Sequence, residues 1–321
     1  MTVRRSSFYL TLGVGLMLCA LIAVLGILQL TQWGASRRQL ADADASKICV
    51  LVAVDPLAYL VERIGGDRVV ATTLTPTGKD PESFSPTPSD LAALASTRLF
   101  FRVGLAVEER FAKNLASIAP ESRAVDLCEG LELLPNPCGH SHNHDGDSHS
   151  CSTSELDPHV WTSPATVRLL VAKATAALSE ASPENADFFA ANAATLDAEL
   201  AALQIELSER LAPFEGRTFV VFHPAYGYFA NEFRLTQRAV ESQGKAPRPR
   251  ELASLIETAQ TDGVRALIVQ PEFDRAAAQV VANEIGADLL DHSPLEKDYF
   301  ANLRSLAEVV ERSLAPRPAT P

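Results

Sequence analysis

The stretch CGHSHNHDGDSHSC at 138–151 holds four of the chain's seven histidines: His140, His142, His144 and His149. Gly, Ser, Asn and Asp surround them, and such a composition builds no packed core and reads as a loop. Alternating imidazoles with Asp145 and Asp147 between them make an auxiliary ligand cluster for a borderline divalent cation, zinc first. The bland alternative is solvated low-complexity filler. Composition says only that metal is handled. It does not say what is done with it.

A second set of residues has a different setting. In parallel α/β sheets, ligands bind beyond the carboxyl ends of the strands. Four metal-binding side chains stand at such places: Glu82 in the Pro-rich loop DPESFSPTPSD, His159 in DPHVW, His223 in FHPAY and Asp291 in LLDHSP. Each alone has a plain reading: a solvated Glu, a His or Asp capping the next turn, a hydrogen-bonded His closing a strand. Only their combination argues for a metal centre.

Those positions depend on a series of elements. From Ile48 on, short apolar strands alternate with amphipathic helices. The strands are expected at 48–54, 68–74, 98–103, 123–127, 217–222, 237–240, 265–270 and 288–290. Near-continuous apolar strands with helical crossovers imply mainly parallel sheets covered on both faces. From Ser182-Pro183 to Leu211 there is no further Pro or Gly, and Ala, Leu and Glu dominate. A helix of that length is too long for an ordinary crossover and reads as a rigid spine between two similar lobes. The expected domains are an N-terminal segment at 1–46, a first α/β lobe at 47–181 containing the His-rich loop, a linking helix at 182–214, a second α/β lobe at 215–315 and a frayed tail at 316–321.

Composition narrows the function. The chain has 321 residues, enough for two cores, and a net charge of −12, which argues against nucleic acid as a partner. Arg4 and Arg5 precede an uncharged, mainly apolar run at 8–30, followed by small-x-small patterns at 41–45. Two readings stand, a cleaved secretory signal and a retained membrane anchor, and both place the rest of the chain outside the cytoplasm. Cys49, Cys128, Cys138 and Cys151 then fall in an oxidising compartment, where an even count favours disulfides. A Cys138–Cys151 bridge would staple the base of the His-rich loop. Cys49 and Cys128 either pair or are buried thiols.

Taken together, ProSerAsp at 88–90, DPHVW at 157–161, the long helix, FHPAY at 222–226, QPEF at 270–273 and Asp291 resemble a known family. It is the cluster A-I solute-binding proteins of zinc/manganese ABC importers, and the resemblance spans Ile48 to Ala315. It implies two α/β lobes joined by a rigid helix, with one metal in the cleft held by Glu82, His159, His223 and Asp291. It also implies an extracytoplasmic receptor whose partner is an importer permease, not an enzyme. This chain departs from the family at Glu82, where a histidine is usual, and that leaves Asp80 as a reserve ligand. Two imidazoles and two carboxylates suit Zn²⁺, but also Mn²⁺ or Fe²⁺. The His-rich loop favours zinc, since the family's zinc members often carry one. Asp157 and Glu272 are candidates for orienting the imidazoles, and His292 is expected to be solvated or packed. Two competing readings are a zinc hydrolase, against which no HisGluXXHis helix occurs, and a metal-binding adhesin on the same fold.

Overall fold

The computed structural model describes residues 47–92, 95–136, 156–241 and 249–315. Residues 8–30, the four histidines of the His-rich loop and the Cys138–Cys151 pair lie outside the described residues.

The first lobe is a four-stranded sheet of β1 (Ile48–Val52), β2 (Val69–Thr73), β3 (Leu99–Arg102) and β4 (Arg123–Asp126). Its order is β2-β1-β3-β4, and every pairing is parallel. The second lobe repeats the plan with β5 (Thr218–Val221), β6 (Thr236–Ala239), β7 (Ala266–Val269) and β8 (Asp288–Asp291), in the order β6-β5-β7-β8, again all parallel. The strands β1 and β7 are buried at every position because helices cover both faces of the central strands. Among the described residues, each expected strand is present to within two residues at either end.

The crossovers are α1 (Asp55–Gly65), α2 (Pro88–Ala92), α3 (Ala106–Ile118), α6 (Gly227–Glu232), α7 (Pro249–Thr261) and α8 (Arg275–Ile285), and α9 (Tyr299–Leu314) closes the chain. Their ends follow local chemistry. Thr87 caps α2 by accepting from the Asp90 amide. Asp274 caps α8 by accepting from Ala276 and Ala277, and Gly286 ends it in the left-handed conformation with φ 69°.

Between the sheets run α4 (Pro164–Ala181), capped by Ser163, and α5 (Ala186–Leu211). The 26 residues of α5 make a rod of about 39 Å. It buries Phe189, Leu196, Leu200, Leu203, Leu207 and Leu211, one stripe at helical spacing. Each such side chain stabilises the fold by roughly 1.5–3 kcal/mol on burial, as an upper estimate. The first half of the rod is tied to the first lobe, where Asn192 donates to the Ile64 carbonyl at 3.0 Å. The second half is tied to α9, where Arg210 and Glu311 form a two-pronged pair at 2.6 Å. One helix thus belongs to both lobes.

One sequence expectation is settled here. Cys49 and Cys128 are free, buried thiols, and the Cys128 thiol faces the Val103 carbonyl at 3.6 Å, so they do not pair. Burial pushes the Cys128 thiol up to about 12, which makes it an inert core residue. Among the described residues, no helix is long and apolar enough to cross a membrane.

Candidate metal centre

Glu82, His159 and His223 come together: each offers a ligand atom within 4.8 Å of the others. The two Nε2 atoms are 3.4 Å apart, and Glu82 Oε1 lies 3.8 Å from that of His159 and 4.0 Å from that of His223. A tetrahedral zinc with bonds of 2.0–2.2 Å needs donors roughly 3.3–3.6 Å apart. The trio therefore sits at or slightly beyond that spacing.

The loop after β2 presents Glu82. Asp55 at the start of α1 accepts from Thr73 at 2.7 Å and from Thr77 at 2.9 Å, holding the near end of the loop. Arg110 of α3 donates to the Phe84 carbonyl at 2.6 Å and holds the far end. Asp80 shapes the turn between them: its carboxylate accepts from the Glu82 amide at 2.9 Å and the Ser83 amide at 3.1 Å. Asp80 also lines the cavity, but its oxygens serve the turn that aims Glu82. The side chain of Glu82 is about one-third exposed, whereas both imidazoles are buried.

His159 is set by the residue two before it. Asp157 Oδ1 accepts the His159 amide at 2.9 Å and lies 2.7 Å from Nδ1. A carboxylate can only accept, so the ring hydrogen sits on Nδ1 and the Nε2 lone pair faces the cluster. Burial opposes a charge on this ring. The carboxylates of Asp157, Glu82 and Asp80 outweigh that opposition and hold its pKa above the ordinary histidine value. The neighbouring Trp161 packs edge-on to His159 and donates to the Pro294 carbonyl at 2.9 Å, a contact from the first lobe to the second.

His223 follows β5 by two residues. Gln270, at the corresponding end of β7, clips its backbone from both sides: the His223 amide donates to Oε1 at 3.2 Å, and Nε2 donates to the His223 carbonyl at 2.8 Å. Phe273 stacks on the imidazole with ring centres 4.6 Å apart. The QPEF segment thus supports His223 through its first and last residues. Glu272 lines the same cavity; its Oε1 accepts from Ser293 at 2.5 Å and its buried Oε2 has no hydrogen-bond partner among the described residues. No Lys or Arg lines the cavity among the described residues. Two imidazoles with Glu82, Asp80 and Glu272 around them bring together donor types and negative charge that could hold a cation.

The structure does not bring Asp291 into the trio. It ends the edge strand β8, its side chain is more than half exposed, and its carboxylate pairs with Arg275 at the start of α8. A neighbouring cation within direct reach competes for the oxygens that a metal would need. His292, one residue on, is packed rather than solvated. Tyr226 donates to its carbonyl at 3.0 Å, and its Nε2 lies 3.2 Å from the Asn302 carbonyl. Burial depresses its pKa to about 4, so it is a neutral core residue.

The QPEF motif marked Gln270 and Phe273 but not their roles as backbone clip and stacking partner, and Glu241 near His223 was not singled out at all. The rule that could have found Glu241 is the one that found His223, since it stands two residues beyond a strand end.

The chain is 31% identical to the high-affinity zinc uptake system protein ZnuA of Paracoccus denitrificans over 228 residues, 62% of this chain and 68% of that protein. It is 26% identical to the zinc-binding protein AdcA of Streptococcus pyogenes over 316 residues, 92% of this chain but only 60% of AdcA, which is the longer protein. A crystal structure of ZnuA superposes with a TM-score of 0.76 at 30% identity, covering 84% of this chain and all of that one. Residues 50–313 match the family described as zinc-uptake complex component A, periplasmic. The two parallel lobes, the shared helix and this match make the chain a member of the ZnuA family of metal solute-binding proteins.

Proposed function

We propose that this chain captures one divalent ion, zinc first, outside the cytoplasm and delivers it to the permease of an ABC importer. The ligands are Glu82 and His159 from the first lobe and His223 from the second. The observation that carries this reading is the convergence of three donor atoms from both lobes at 3.4–4.0 Å, near the edge length of a zinc tetrahedron. The fourth position falls to water or to a carboxylate lining the same cavity. Asp291 is left out because Arg275 engages it. Supporting the choice of zinc are two buried imidazoles and relatives named for zinc uptake and zinc binding. Glu82 keeps Mn²⁺ and Fe²⁺ as the alternative cargo, since carboxylate oxygen suits harder ions. The N-terminal segment 1–46 acts as an export signal, whether it is cleaved or retained as an anchor at 8–30. The four histidines His140, His142, His144 and His149 collect further zinc weakly.

Paired titrations of zinc and manganese against a chelating dye test the reading. The wild type should hold one tight equivalent and bind zinc more strongly than manganese. His223→Ala should remain folded and lose at least 100-fold in zinc affinity, because a tetrahedral site without one imidazole must recruit water. A His223→Ala protein with wild-type affinity would refute the ligand set.

A further inference from the structure

We propose that Glu241 is the positioning residue of His223, accepting the imidazole Nδ1–H so that the Nε2 lone pair is presented to the metal. The inference rests on the metal-binding reading above and deepens it. His223 Nδ1 is buried and has no hydrogen-bond partner among the described residues, and the same holds for Glu241 Oε1. These two atoms face each other at 3.6 Å, and both side chains are more than nine-tenths buried. Gln270 fixes the His223 backbone and Phe273 covers the ring face, but the contacts described for them do not engage Nδ1. Strand register places the carboxylate there. The strands β5 and β6 pair in parallel up to Val221 and Ala239, and the Glu241 amide donates to the Phe222 carbonyl at 2.9 Å. Two residues beyond their strands, Glu241 and His223 are therefore neighbours.

The spacing has a tautomeric reading. Asp157 fixes the His159 hydrogen on Nδ1, so His159 Nε2 offers a lone pair to His223 Nε2 at 3.4 Å. In the tautomer with its hydrogen on Nε2, His223 points that hydrogen at His159. Nδ1 of His223 then carries a lone pair toward a carboxylate, and two acceptors stand apart at 3.6 Å. When a metal takes both Nε2 lone pairs, the His223 hydrogen must reside on Nδ1. Glu241 Oε1 is placed to receive it, and closing the gap by well under 1 Å gives an ordinary hydrogen bond. Loading would thus satisfy two buried groups that lack partners and give each imidazole its own carboxylate, Asp157 for His159 and Glu241 for His223.

The test uses the full chain, with zinc alone as the ligand. In competition with a chelating dye, Glu241→Leu should lose 10–100-fold in affinity at the tightest equivalent. Glu241→Gln should recover most of it, because its amide oxygen still accepts. The unfolding midpoint of the zinc-free protein should be unchanged or raised in both variants, whereas a merely structural role would lower it. In ¹⁵N-histidine spectra of the zinc-loaded wild type, His223 should carry its hydrogen on Nδ1. Glu241→Leu within twofold of wild-type affinity, or a loaded His223 without an Nδ1–H, overturns the proposal and leaves the metal site standing. A wild type with no tight equivalent instead overturns the functional reading itself. If Glu241→Leu does not fold, Glu241→Gln and the wild-type spectrum decide.

Discussion

Asp157 shows how closely single residues around the centre constrain one another. Its Oδ1 sets the tautomer of His159, while its Oδ2 is buried with no hydrogen bond among the described residues and lies 2.7 Å from where a Cβ on residue 227 would stand. Gly227 opens α6 at a negative φ, so it is needed for closeness and not for backbone freedom. Gly227→Ala must push Asp157 away from His159. It should cost about 1–3 kcal/mol of stability and lower zinc affinity roughly tenfold, read by denaturant unfolding and dye competition. His292 supports a pH prediction of opposite character. Its folded pKa of about 4 lies below the unfolded 6.5. The neutral packed ring therefore contributes fully above pH 6.5, and that contribution is lost as pH falls toward 4. The loss amounts to about 3 kcal/mol. Urea titrations across this range should show a steeper acid decline in the wild type than in His292→Gln.

At the scale of elements, the site is a set of strand ends brought into reach by register. Glu82 lies nine residues beyond β2 in a loop held at both ends, His223 stands two residues beyond β5, and Gln270 directly follows β7. His159 lies on the opposite side of the long segment 137–155, yet its approach is pinned. The Asp157 amide donates to the Leu134 carbonyl at 2.9 Å, Pro135 and Leu156 form an antiparallel bridge, and Tyr228 donates to the Asp157 carbonyl at 2.9 Å. With Leu134 and Asp157 already joined, the intervening loop is not needed to place His159. Deleting residues 139–150 should remove the weak zinc equivalents and leave the tight one, measured as zinc stoichiometry after dialysis and by dye competition. Loss of the tight equivalent would mean that the loop supplies a primary ligand.

At the scale of the whole molecule, α5 and the inter-lobe contacts make the two sheets respond together. Trp161 reaches Pro294, Tyr228 reaches Asp157, and Arg210 ties the helix to α9. A metal whose ligands come from both lobes therefore stabilises the chain as one unit. Calorimetry should show a single unfolding transition that moves up with zinc, with a gain of about 2.7 kcal/mol at free zinc one hundred times the dissociation constant. A shift confined to part of a split transition would place all ligands in one lobe.

The architecture was legible in the residues themselves, because it rests on local regularities. Apolar runs mark the central strands β1, β3, β5 and β7, the α/β alternation implies the more polar edge strands, and the Pro- and Gly-free stretch before Leu211 marks the long helix. His159 and His223 stood out only in combination, since a histidine after a strand can equally serve packing, as His292 does. The choice among carboxylates was not legible, because Glu and Asp are common at strand ends and a sequence does not show which one a cation already holds. Only the fold gives Asp291 to Arg275, turns Asp80 to its own loop, leaves Glu82 facing the imidazoles and sets Glu241 behind His223. Strand periodicity is a property of neighbouring residues. The partner of a carboxylate depends on which strand ends the sheet order places side by side, and that is decided only when the two lobes are assembled.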